Sequence, residues 1–144
     1  MHDDQKAAFH AIRELTGLTQ AALAAALGVE VRSVKRWESP RAPQLPPGEA
    51  WDYVAGALSR QREVVRFALD KVHDVTDEQG APPDEVSLPY WSGADDYGER
   101  STDAAMGVAG DWRMANANAR ALASALWAEG VHVTWSATSP ARIV

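Results

Sequence analysis

TQAALAAALGVEVRSVKRWE, residues 19–38, is the stretch whose reading decides the fold. Thr19 precedes a run that is almost entirely alanine and leucine. A threonine hydroxyl there can satisfy a free backbone N–H at a helix start, so a short helix is expected over 20–27. Gly28 ends that run, where a left-handed φ is expected and a side chain would be strained. After a single residue a second short helix follows, Glu30 to about Glu38. Two helices joined by so brief a turn must cross steeply, so the residues at the crossing have to be small or apolar. Leu23, Ala24 and Leu27 supply the inward face of the first, and Val34 and Trp37 the back of the second. Glu30, Val31, Arg32, Ser33, Lys35 and Arg36 are left facing outward.

Upstream, a first helix capped by Asp3 or Asp4 is expected to bury Ala7, Ala8, Ile12 and Leu15 and to stop at Gly17. Downstream, Pro40, Pro43, Pro46 and Pro47 break regular structure. From Gly48 to about Asp77 one long helix is predicted. Trp51, Val54, Leu58, Gln61, Val65, Ala68, Val72 and Val75 step along it by threes and fours, close to a heptad seam. That stripe packs against the rest of the chain or is shared with a second subunit; the spacing fits both.

QGAPPD, residues 79–84, is a linker signal. Val86, Leu88 and Tyr90 then alternate with Ser87, Pro89 and Trp91, predicting a short strand that Pro89 confines to a sheet edge. The acidic stretch 94–110 reads as a loop with room for one helical turn. Asp111 caps a helix over Trp112–Glu129, with Ala115, Ala119, Leu122, Ala123 and Leu126 on one face, and Gly130 ends it. Val131, Val133 and Trp135 form a second strand, and the tail from Ser136 is expected to fray. The fold class expected is therefore mainly α. An N-terminal helix-turn-helix bundle with a long fourth helix (1–78) precedes a C-terminal α+β extension (79–144) of a short two-stranded sheet plus a helix.

The 144 residues, 46% hydrophobic and 24% charged, suit one domain or a small domain with an extension, and argue against wholesale disorder. The chain has no cysteine, which excludes disulfides, cysteine-ligated zinc and thiol nucleophiles. The start, MHDDQKAAFH, lacks the basic and apolar regions of a signal peptide, and no apolar run is long enough to span a bilayer, so a cytoplasmic protein is expected. Net charge is −6, unevenly distributed. Residues 1–46 hold six basic and five acidic side chains, and residues 47–144 eight basic and fifteen acidic. A local basic patch on an acidic body is compatible with nucleic-acid contact but predicts weak non-specific binding.

Enzymatic chemistry has little to stand on. His2, His10, His73 and His132 lack ligand-like spacing, and Asp95, Asp96 and Glu99 lack the pattern of a calcium loop. Ser136, Thr138 and Ser139 have no nearby base, and no Gly-rich phosphate loop occurs. The reading is no enzyme, no metal and no cofactor.

With Gln20, Ala24, Gly28, Val34 and Trp37 at their offsets, residues 8–40 resemble the helix-turn-helix of phage-repressor-like (Cro/XRE-type) regulators. The resemblance implies that the second helix enters the major groove of double-stranded DNA, with Val31, Arg32, Lys35 and Arg36 near base edges. Arg32 and Arg36, four apart on one face, suit guanine O6 and N7, and Val31 a thymine methyl. Ser33, Lys35, Arg41 and Gln20 suit phosphate oxygens. The competing reading is a solvated helix face, with the arginines paired to Glu38, Asp3 or Asp4.

A longer and looser likeness covers nearly the whole chain. Arg32-Ser33, Trp37-Glu38-Ser39, Leu88-Pro89-Tyr90-Trp91 and Asp111-Trp112-Arg113 are similar to small bacterial and phage proteins of the YdiL type, among them anti-CRISPR-associated autorepressors. Pro40 departs from the glycine usual in that group after WES. The likeness implies a homodimer joined through its C-terminal part, repressing its own operon from an inverted repeat. Trp91, Trp112, Trp127 and Trp135 are the expected dimer-interface residues. Alternatives from other classes are an antitoxin-like module whose acidic C-terminal half masks a protein partner, and a helix-turn-helix serving only protein–protein association.

Overall fold

In a computed structural model, which describes residues 2–100, 111–137 and 142–143, the chain is mainly helical. Its elements are α1 (His2–Leu15), α2 (Gln20–Leu27), α3 (Val31–Glu38), α4 (Gly48–Gln79), β1 (Val86–Pro89), α5 (Ala94–Arg100), α6 (Trp112–Ala128), β2 (Val133–Ser136) and β3 (Arg142–Ile143). They fall into two compact units, residues 1–60 and 61–144, and α4 contributes to both. No helix among the described residues is long and apolar enough to cross a membrane.

Local chemistry sets the boundaries of the first unit. Thr19 caps α2, its hydroxyl accepting from the Ala22 N–H. Gly28 closes it at φ 67°, with open space where a Cβ would stand, so the requirement for glycine is conformational. Leu23, Ala24, Val34 and Trp37 are buried as expected, and Leu27 is half-buried. Phe9 makes edge-to-face contacts with Trp37 at 6.3 Å and Trp51 at 5.1 Å.

The buried face of α1 differs from the expectation. α1 already runs from His2, and Ala7, Ala8 and Leu15 are exposed. The inward positions are Lys6, Phe9, Arg13 and Thr16, at spacings of three and four. Three of these are polar, so an apolar count selects the wrong stripe. Each is buried because it has a partner.

In the second unit, Val72, Val86, Leu88, Leu122, Ala123, Leu126, Val131 and Val133 form the core, with Val65, Ala68 and Leu69 packed against it. The α4 stripe read from sequence is buried or half-buried throughout. β1 and β2 pair in parallel, Val86 opposite Val133 and Leu88 opposite Trp135, joined by the crossover that parallel strands require. β3 pairs antiparallel with β1 in the order β2-β1-β3, so the expected two-stranded sheet has a third short strand inside the tail expected to fray.

β1 is thus central, whereas Pro89 had suggested an edge. The N–H groups of Val86 and Tyr90 donate to the carbonyls of His132, just before β2, and Ser136, its last residue. Pro89 ends the strand, past the two residues that β3 pairs among the described residues, so its missing N–H interrupts neither of those pairs. The stretch from Ala94 is also more ordered than a loop. It forms α5 as far as Arg100, with Tyr97 buried edge-on against Trp91 at 5.9 Å, while its remainder, 101–110, lies outside the described residues.

His73 of α4 bonds Glu129 at the C-terminus of α6 at 2.6 Å. That hydrogen bond and the Glu129 charge raise the His73 pKa above its ordinary 6.5. A raised folded-state pKa contributes stability that is fully present below the unfolded value and is lost as pH rises through the folded one. Wild-type protein should therefore lose more thermal stability than His73→Ala when pH is raised from 5.5 to 8.5. Parallel pH dependences of Tm would contradict this.

Candidate nucleic-acid interface

α3 is amphipathic because its eight residues place Val34 and Trp37 on one side and charge on the other. Val34 is fully buried, while Val31, Arg32, Lys35 and Arg36 are exposed and Ser33 is half-buried. Glu30 takes the N-cap position without a side-chain cap bond. Its carboxylate instead meets Arg32 Nε at 2.5 Å, both side chains about 70% exposed. An ion pair so open to solvent contributes little and is readily exchanged for another acceptor. Of the partners expected for the arginines in the solvated-face reading, Glu38, Asp3 and Asp4, the first is engaged by Arg13.

Glu38, the last residue of α3, is buried, and Arg13 of α1 grips it through two bonds, Nε at 2.5 Å and Nη2 at 2.8 Å. Arg13 also donates to the Leu18 carbonyl at 2.9 Å, and Gln20 donates to Glu38 at 3.1 Å. His10 lies 3.6 Å from the same carboxylate and also bonds Glu14. Lys6, 2% exposed, sends its ammonium to the carbonyls of Arg36 and Gln44. A cation at the last turn of a helix satisfies free carbonyls and complements the helix dipole. Two buried cations of α1 therefore fix the pitch of α3: one holds its terminal carboxylate, the other its terminal backbone.

This changes the charge reading. Lys6 and Arg13 belong to the interior, so the exposed basic side chains of residues 4–46 are Arg32, Lys35, Arg36 and Arg41. Arg32, Lys35 and Arg36 share the outer side of α3, and Arg41 follows in the exposed loop, where Ser39 Oγ accepts from its backbone N–H. Gln20 is half-buried and donates one amide N–H to Glu38. The Lys6 and Arg13 hub escaped the sequence reading, since its partners Arg36, Glu38 and Gln44 lie 25 or more residues away. The one available signal was a lysine and an arginine seven apart in register with Phe9.

The four tryptophans assigned to a dimer contact divide. Trp91 is buried in its own unit, with its backbone N–H and C=O both bonded by the Asn116 side chain at 2.8 and 2.9 Å, and so offers a partner no surface. Trp112 is half-buried, with the Arg113 guanidinium 4.4 Å above its ring. Trp127 and Trp135 are exposed and meet edge-on at 6.3 Å, and Tyr90 joins them at 5.5 Å from Trp135. With Arg120 and Ala123 these three rings line a cavity of about 420 Å³.

No protein-family model matches the chain, and no curated protein matches it.

Proposed function

We propose that the protein is a sequence-specific DNA-binding transcriptional regulator, a cytoplasmic repressor of its own operon. In this reading it acts as a homodimer on an inverted repeat, with α3 in the major groove. The observation that carries it is the outer face of α3. Arg32, Lys35 and Arg36 stand free of the core on a helix whose opposite side is sealed by Val34 and Trp37 and whose pitch is fixed by Lys6 and Arg13. A rigid helix presenting guanidinium groups at one-turn spacing matches the donor geometry that guanine edges accept. Arg32 and Arg36 read bases, Lys35, Ser33 and Arg41 hold phosphates, and Val31 lies against a thymine methyl. The likeness of residues 8–40 to phage-repressor-like regulators supports the same assignment. One helix reads only a few base pairs, so a two-fold assembly supplies the specificity a single copy lacks.

A second reading, binding of a protein partner by the acidic C-terminal half, is favoured by the exposed Tyr90–Trp127–Trp135 cavity. Selection from a random duplex library separates the two. The regulator reading expects enrichment of a dyad-symmetric sequence with half-sites about one helical turn apart, bound by two chains per duplex. Recovery of no common sequence would contradict it.

A further inference from the structure

We propose that the cavity lined by Tyr90, Trp127 and Trp135 binds a small aromatic carboxylate. The site lies wholly within residues 61–144, goes beyond the DNA-binding reading and does not rest on it. Arg120, Ala123 and Trp127 are three and four apart on α6 and so share one face of it. Trp135 comes from β2, opposite Leu88 of β1, and Tyr90 directly follows β1. Tyr90, Trp127 and Trp135 are 38%, 57% and 42% exposed, although rings of this size are usually withdrawn into a core, as Trp37 and Trp91 are. Three exposed rings in contact make an apolar patch of the kind that marks a binding surface. Their hollow of about 420 Å³ falls within the roughly 300–1,000 Å³ typical of small-molecule sites.

The walls and the charge together define the occupant. The ring planes stand at 85° between Tyr90 and Trp135 and at 67° between Trp127 and Trp135. A flat ring laid against one face therefore meets the edge of a neighbour, and stacked and edge-on contacts are the two that aromatic rings favour. An alkyl chain gains neither. Three rings could also cage an ammonium group, and Arg120 decides against that. It is the one charged residue among the described residues of the lining, and its Nη1 donates to the Tyr90 hydroxyl at 2.7 Å. No carboxylate of the described residues pairs with it. Tyr90 takes one guanidinium N–H, and those left over can hold both oxygens of a carboxylate. The cavity thus offers rings to a ring and an uncompensated cation to an anion. A second copy docked about a two-fold through the cavity sets hollow against hollow and fills neither.

Titrating the full chain with naphthoate, followed by NMR of the indole N–H groups, tests the assignment. Trp127 and Trp135 should shift, and Trp37 and Trp51 should not. Naphthoate should bind at least tenfold more tightly than uncharged naphthylmethanol, with naphthylmethylammonium the weakest of the three. Arg120→Gln, a change at an exposed position, should melt with the wild type. It should abolish the preference for the acid and leave the affinity for the alcohol unchanged, whereas Trp127→Ala should weaken both. Equal affinities of wild type for acid and alcohol, a preference that survives Arg120→Gln, or no response of Trp127 and Trp135 would overturn the proposal. So would a chain that sediments as a dimer and turns monomeric with Trp127→Ala, since a second copy would then fill the cavity. DNA reading by α3 stands or falls on its own assays.

Discussion

Replacing Glu38 by alanine should destabilise residues 1–60 by about 3–5 kcal/mol, the cost of leaving a buried ionic partner unpaired. Glu38 and Arg13 are each less than one-tenth exposed, and the pair is closed by two short bonds. Removing the carboxylate strands the Arg13 guanidinium, and also the Gln20 amide that donates to Glu38. For a unit of this size the melting temperature should fall by more than about 12 °C in a thermal scan. The companion variant Arg13→Met/Glu38→Leu removes both charges at once. It should lose far less than the single change, because apolar side chains of similar volume replace a buried pair at little cost. Equal losses in the two variants would show that shape, not uncompensated charge, sets the effect.

The second large effect concerns binding. Arg32→Ala and Arg36→Ala should each weaken binding to the selected duplex by about 5- to 150-fold, corresponding to about 1–3 kcal/mol for a bidentate guanine contact. Binding to unrelated duplexes should change much less. Lys35→Ala should weaken all duplexes alike and lower the slope of log affinity against log salt by about 1. Arg32 carries one qualification that comes from geometry. It leaves Glu30 to reach a base, so Glu30→Gln should strengthen binding while preserving sequence preference. Competition titrations by fluorescence anisotropy measure all four variants. An Arg32→Ala loss that is the same on every sequence would assign that side chain to phosphate.

What could be read in the sequence was what local chemistry dictates. Thr19 and Asp111 are caps because their side chains reach a backbone N–H three residues on, and Gly28 is a turn because only its φ fits. The outer face of α3 was equally legible, since eight residues suffice to show which side is charged. Non-local partnership escaped. Lys6 and Arg13 look like surface residues until Arg36, Gln44 and Glu38 are brought beside them. The bond from Gln20 to Glu38, eighteen residues later, is equally hidden in the sequence. Trp91 reads as an interface residue for the same reason, because Asn116, which fixes it, is twenty-five residues away. Pro89 misled because it ends β1, past the two residues that β3 pairs among the described residues, so an edge rule read from it says nothing of Val86 and Ser87.

Competitor-resistant binding to the DNA upstream of the protein's own gene, followed across a salt series for wild type and Arg32→Ala, tests the central claim most directly. Reading by α3 predicts saturable wild-type binding that survives excess unrelated duplex and is lost with Arg32→Ala, both proteins melting at the same temperature. Binding of equal strength to every sequence, or upstream binding that Arg32→Ala and Arg36→Ala leave intact, would contradict the claim that this helix reads DNA.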